Sequence, residues 1–399
     1  MVQPYGAARL AEPREAASER STLLGGEGSA LLEGREPGEG RVKREGHASL
    51  TSSVSNLANT IIGSGMLTFP LALASAGIIP GIITCVFSGG VAVFGLYLLT
   101  ACARKAPHRR ALRHTSYIAL FSVAYLVIIV MSCYFYPLED MPEPGEIHLI
   151  KFTPAFVSTF PIQVFAFTCA QNIFPIFNEV KGNTQKRMTT IVGTAIGSAT
   201  FTYLIIAVFG YLTFGSTVGA NIIAMYPSTS LFIAFGQLAI AILVMFSYPL
   251  QVHPCRNCLD KIFHFGQPEA GVVKPVAGAD ADEDEEGEVE DEDHAAGEMS
   301  VLKHTVLTAA IIASGFTIAF FVDDLQMVLS FVGSTGSTTI SFILPGLFYW
   351  KMTKDDASAS RVLNKAALAL AGYGMFILVF CLSFNIYKVV NPDAEPSAH

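Results

Sequence analysis

Two short stretches hold the residues whose types and spacing could do chemistry. The first reads Asn56-Leu-Ala-Asn59-Thr-Ile-Ile-Gly63-Ser64-Gly65-Met-Leu-Thr-Phe-Pro70, the second Phe165-Ala-Phe-Thr168-Cys-Ala-Gln171-Asn172-Ile-Phe-Pro175-Ile-Phe-Asn178-Glu179. Neither offers a nucleophile with its base, a metal-ligand spacing or a phosphate-cradling loop. What they offer is backbone. Two glycines around a serine, with a proline further on, make a poor continuous helix, and Thr, Gln and Asn ahead of Pro175 mark a second weak place. Where a helix unwinds inside hydrocarbon, its freed amide and carbonyl groups are tolerated only if a cavity or a ligand satisfies them. Half-helix N-termini suit a carboxylate and opposing carbonyl ends suit an ammonium or a cation, so a pair of breaks suits a zwitterion. For Gly63–Gly65 taken alone, close packing between helices is the alternative.

Other constellations carry less. Gly333-Ser-Thr-Gly336-Ser337-Thr338-Thr339, followed by Pro345, is a third weak point; its hydroxyls are expected to bond back to their own backbone, which favours packing or a hinge over substrate contact. Cys255-Arg-Asn-Cys258 has zinc-knuckle spacing, but no second cysteine pair follows, and the pair reads as thiols at a membrane boundary, open to acylation. Seven scattered cysteines make no disulfide framework. There is no Walker loop, no HExxH and no GxSxG in a strand-turn-helix setting, so no enzyme is expected. The apolar stretches are nearly free of ionisable groups, which argues against a pump built on buried carboxylates and against a channel with a charged ring.

The elements that must position these residues are membrane helices. Of 399 residues, 51% are apolar and 15% charged, against roughly 25% charged in a soluble domain. No Lys, Arg, Asp or Glu occurs from Gly46 to Ala103, nor from Met188 to Cys255. About 20 apolar residues span a bilayer as helix. Spans are expected at 52–76, 79–103, 115–137, 153–178, 188–213, 229–252, 304–322, 326–350 and 366–387, nine in all. With the N-terminus in the cytosol, 23 Lys and Arg fall on the cytosolic side and only Lys151 and Lys388 on the other, which leaves the C-terminus luminal. The net charge of −8 belongs to one segment: without the eleven acids between Asp280 and Asp293 the balance is +3. The expected organisation is a disordered cytosolic tail (1–46), a membrane domain (47–388) interrupted by a disordered acidic cytosolic loop (256–303), and a short luminal tail (389–399).

The segments 56–67 with Pro70, 167–179 and 333–345 resemble those of the amino acid/auxin permeases, in particular the relatives of sodium-coupled neutral amino acid transporters and of fungal vacuolar amino acid transporters. The resemblance covers most of 52–388. It implies an all-α, LeuT-like fold of two inverted five-helix repeats plus an eleventh helix, with helices one and six broken, and secondary transport of amino acids. Carried over by position, Gly63, Ser64 and Gly65 would line the substrate through backbone groups and Thr168, Gln171 and Asn172 would face it. Asn59 matches a residue of a cation site whose threonine partner in family helix eight has only apolar counterparts in 229–252. Coupling to a proton gradient is therefore expected over sodium, with no cofactor. The family has eleven spans against nine here: helices three and four are replaced by the basic link Arg104–His114. A non-transporting amino acid sensor, or an inactive shortened form, is the rival reading. In the tail, Glu19-Arg-Ser-Thr-Leu23-Leu24 and Glu27-Gly-Ser-Ala-Leu31-Leu32 fit the acidic dileucine pattern read by sorting adaptors, which favours a vacuolar or lysosomal membrane over the plasma membrane. The expected partners are the amino acid, membrane lipid and those adaptors; no nucleic acid is expected.

Overall fold

The computed structural model describes residues 48–103, 116–138, 140–151, 153–182, 184–263, 301–322, 324–356 and 359–391. The dileucine motifs (Leu23, Leu24, Leu31, Leu32), the basic link, the acidic run and the C-terminal tail from 392 lie outside them. Thirteen α-helices are described: α1 Leu50–Ile61, α2 Phe69–Ala76, α3 Ile78–Ala103, α4 Ser116–Phe135, α5 Ala155–Ala166, α6 Ala170–Glu179, α7 Gln185–Phe214, α8 Ile222–Met225, α9 Leu231–Phe263, α10 Val301–Phe321, α11 Leu325–Val332, α12 Leu344–Thr353 and α13 Arg361–Val390. Among the described residues the chain is an all-α bundle. Seven helical segments among the described residues are long and apolar enough to cross a membrane, and α1 with α2, bent by 53° at their break, makes an eighth when counted as one span. The expected span 115–137 corresponds to α4, whose apolar helix over Phe121–Phe135 is shorter.

The helix ends follow their capping residues. Ser49 opens α1 by accepting from the Ser52 amide at 3.2 Å, Thr184 opens α7 and Asp324 opens α11 in the same way, each side-chain oxygen taking one amide that the first turn leaves unpaired. Pro70 sits in the first turn of α2, where its missing N–H costs nothing. Gly77 ends α2 at φ 86°, a conformation that favours glycine.

One hydrophobic core joins α1–α4, α6, α7 and the first half of α9, and a second lies among α3, α5, α12 and α13. By contrast, none of the membrane-length window of α10 is buried, and among the described residues it packs chiefly on α9. Helix α9 runs on to Phe263, so residues 256–263, expected in the acidic loop, are helical; the leucine- and isoleucine-containing stretch after Cys258 carries the helix past the expected membrane boundary. Cys255 and Cys258 are exposed and free.

The third weak point is a packing feature. Residues Gly333–Ser337 and Thr339–Ile343 are π-helical. Thr335 Oγ1 donates to the Phe331 carbonyl at 2.7 Å and Thr338 Oγ1 to the Gly333 carbonyl at 2.8 Å. A β-carbon on Gly333 would collide with the Pro161 carbonyl of α5. Glycine is there because two backbones touch.

Candidate functional site

Both suspect spans are broken. α1 stops at Ile61, Gly63 is extended (φ −124°, ψ −153°), and a 3₁₀ turn over Ser64–Thr68 leads into α2. The Thr68 hydroxyl donates to the Gly65 carbonyl at 2.8 Å and holds that turn. The second break is short and lies at the very start of the weak place expected ahead of Pro175. It covers Phe167–Cys169, between α5 and α6, and residues 170–174 are helical. Pro175 does not cause the break; it lies inside α6. Its effect is local, since without an N–H it cannot serve the Gln171 carbonyl one turn back.

The four half-helices pair by side. On one side α2 meets α5: the hydroxyls of Ser75 and Thr159 are 2.7 Å apart, and Thr153 Oγ1 donates to the Ser75 carbonyl at 2.6 Å. On the other side α1 meets α6: Asn172 Nδ2 donates to Thr60 Oγ1 at 2.8 Å. There Ala48 N also donates to the Glu179 carbonyl at 2.8 Å and Lys181 N to the Ala48 carbonyl at 3.2 Å, a short parallel bridge across the helix ends.

The two breaks meet at Tyr203, in the middle of α7. Its hydroxyl lies 2.7 Å from the Ile61 carbonyl and 2.9 Å from the Ala166 carbonyl, the last residues of α1 and α5. One buried donor thus serves both helix C-termini, beside the Gly63 amide that also donates to the Ile61 carbonyl at 2.9 Å. Its ring stacks on Phe69 (4.5 Å between centroids) and meets Phe167 edge-on (5.2 Å). These aromatics add about 0.5–1.5 kcal/mol per pair beyond the area they bury. Sequence reasoning passed over Tyr203, because it is one of several hydroxyl residues along a 30-residue helix and nothing in the sequence sets it apart from Thr200, Thr202 or Tyr211.

Between the breaks lies a cavity of about 390 Å³. Asn59, Gly63, Gly65, Thr168, Gln171 and Asn172 all line it, so six of the seven residues singled out from the sequence converge there. The seventh, Ser64, has its backbone in the 3₁₀ turn at the same break. The far wall is α9, through Leu243, Val244, Ser247, Tyr248 and Gln251. Ser247 and Gln251 were missed; polar residues one helical turn apart in an otherwise apolar span were the readable sign. Asn59 Oδ1 and Gln171 Oε1 are buried and accept no hydrogen bond. Buried polar atoms normally have partners, and unpaired ones cost about 1–3 kcal/mol each. Two unpaired acceptors on one cavity wall, with the N-terminus of α6 beside them, are what an ammonium and a carboxylate would complete.

The two glycines differ. A β-carbon on Gly65 would lie 2.7 Å from Ala166 Cβ and 2.8 Å from its Cα, whereas one on Gly63 meets nothing within 4 Å. Gly65 is glycine because the breaks press together, which is the packing alternative. Gly63 opens on the cavity.

A family model described as "Transmembrane amino acid transporter protein" matches residues 46–111 and 105–388. The chain belongs to this family of transmembrane amino acid transporters. It is an integral membrane transporter of small molecules and not an enzyme, in line with the all-α reading and with the resemblance. Among similar proteins is Vacuolar amino acid transporter 5 of Schizosaccharomyces pombe, 33% identical over 434 aligned positions that span 86% of this chain and 96% of that protein. Vacuolar amino acid transporter 6 of Saccharomyces cerevisiae is 26% identical over 445 positions, 84% of this chain and 98% of that protein. Vacuolar amino acid transporter 7 of the same yeast is 24% identical over 487 positions, 86% and 99% respectively.

Proposed function

We propose that this transporter carries amino acids across a vacuolar or lysosomal membrane, with the substrate held in the cavity between the two broken spans. The observation that carries the reading is the pair of buried, unpartnered acceptors, Asn59 Oδ1 and Gln171 Oε1, on the wall of that cavity. Gly63, Ser64, Thr168 and Asn172 complete the site. The names of the yeast relatives support the vacuolar membrane, and the dileucine motifs support delivery there through adaptors. The Lys and Arg asymmetry supports a cytosolic N-terminus and a luminal C-terminus. In that orientation α1, α6 and the second half of α9 lie cytosolic, and the cavity lies on their side. Pairing of half-helices by side is what a LeuT-like inverted repeat expects. Protons are the proposed driving ion, because the cavity presents Asn59 without a second cation ligand of the family kind.

A second reading has its own support. The 434 positions aligned with the fission yeast protein hold about 343 residues of this chain, so about 91 are gaps on its side. The family match also divides at 105–111, within the basic link. We infer that family helices three and four are absent, which would leave α10 bare and the cavity short of a wall. A sensor or an inactive shortened form would then result.

Purified protein in liposomes, with an imposed pH gradient and a labelled amino acid mixture, separates the two. Accumulation that collapses with a protonophore and is indifferent to sodium is expected. Saturable binding without accumulation would replace the carrier with the sensor.

A further inference from the structure

A second cavity, of about 410 Å³, lies at the opposite ends of the bundle from α1 and α6 and shares no residue with the first. It is walled by the first turns of α5 and α11 and the last turns of α13. Its volume is at the small-molecule end of the usual range of about 300–1,000 Å³.

Its lining sets polar and charged side chains among the apolar Met327, Phe331 and Val389, where a lipid-filled crevice would be apolar throughout. Ser158, 3% exposed, has a buried hydroxyl oxygen with no hydrogen-bond partner. Asn385, 4% exposed, gives its amide to the hydroxyl of Ser330, itself buried, at 2.7 Å, which turns the Asn385 carboxamide oxygen to other partners. Charged side chains of opposite sign complete the wall, Asp324 from α11 and Lys388 from α13. Asp324 spends one oxygen capping α11 at the Met327 amide (3.2 Å). The N-terminus of α11, whose Gln326 lines the same space, favours negative charge there.

Hydroxyl, carboxamide, carboxylate and ammonium around one small space are complementary to a zwitterion. We propose that this cavity is a second amino acid site on the luminal face. The carboxylate of the ligand is received by Lys388, the Ser158 hydroxyl and the N-terminus of α11, and its ammonium by Asp324 and the Asn385 carboxamide oxygen. Such a site reports or delivers luminal amino acid independently of the central cavity. The inference rests on the amino acid reading above and extends it from one site to two.

Full-length protein in detergent, titrated with a labelled mixture of amino acids in equilibrium dialysis, tests it. Two equivalents per chain are expected for the wild type. Gly63→Val, which fills the central cavity, should retain one. Asp324→Asn with Lys388→Gln, both at the rim and with the helix cap preserved by Asn, should also retain one, the central equivalent. Joining all three should abolish binding. A wild type that binds one equivalent, lost in Gly63→Val and untouched by Asp324→Asn with Lys388→Gln, overturns the second site and leaves the carrier standing. One equivalent lost in the rim pair and untouched by Gly63→Val overturns the central site instead. No binding in the wild type overturns both.

Discussion

Replacing Tyr203 with phenylalanine removes a single oxygen from the junction of the two breaks. The ring contacts with Phe69 and Phe167 survive, so the change isolates the hydroxyl. Its proton is shared between the carbonyls of Ile61 and Ala166, at 2.7 and 2.9 Å in a site with no exposed surface. A lost neutral hydrogen bond costs about 0.5–1.5 kcal/mol, and a buried carbonyl left unpaired about 1–3 kcal/mol. Tyr203→Phe should therefore lose about 1–3 kcal/mol, a drop of about 1–4 °C in thermal midpoint for a chain of this size. The assay is thermal unfolding followed by a thiol-reactive dye, since Cys85, Cys133, Cys169, Cys102 and Cys381 are buried and react only on opening. Cys255 and Cys258, which are exposed, would first be changed to serine in both proteins. Uptake should fall with stability, because the hydroxyl ties α1 to α5 across both breaks. A variant as stable as the wild type, with full uptake, would refute the claim that Tyr203 holds the broken ends together.

Gly65→Val should lower the yield of folded protein, because its side chain would meet Ala166 at under 3 Å; overpacking of this kind costs about 1–3 kcal/mol or more. Gly63→Val should instead fold normally, as judged by gel filtration, and lose uptake by filling the cavity. The Asn172–Thr60 hydrogen bond should appear in a double-mutant cycle of Asn172→Ala and Thr60→Ala as a coupling of about 1 kcal/mol between α1 and α6. Gly333→Ala should be destabilised without altering the apparent affinity for substrate, since that glycine faces the Pro161 carbonyl and not the cavity.

Much of the site was legible in the sequence because glycine and proline state backbone needs directly. Gly63, Gly65 and Pro70 mark a bend that a continuous helix cannot make, and the 53° break is there. The second break was legible as an event and misread in place. Pro175 drew attention downstream, although the chain unwinds at Phe167–Cys169, where aromatic packing against Tyr203 and not local propensity sets the end of α5. The wall supplied by α9 was hidden for another reason: which face of an apolar helix meets a cavity depends on distant neighbours, and Ser247 and Gln251 look like surface residues until α1 and α6 stand beside them. Gly63 and Gly65 could not be told apart by sequence, as only the neighbour at each missing β-carbon distinguishes a cavity from a contact.

The central claim, that an amino acid occupies the space between the two breaks, is tested most directly at Gly63. In protein carrying Cys255→Ser and Cys258→Ser, the remaining native thiols are buried, and Gly63→Cys adds one that faces the cavity. A small hydrophilic thiol reagent should modify that cysteine, and amino acids that the protein transports should slow the reaction in proportion to their occupancy. A cysteine that reacts at the same rate at every amino acid concentration, in protein still competent for uptake, would place the substrate elsewhere.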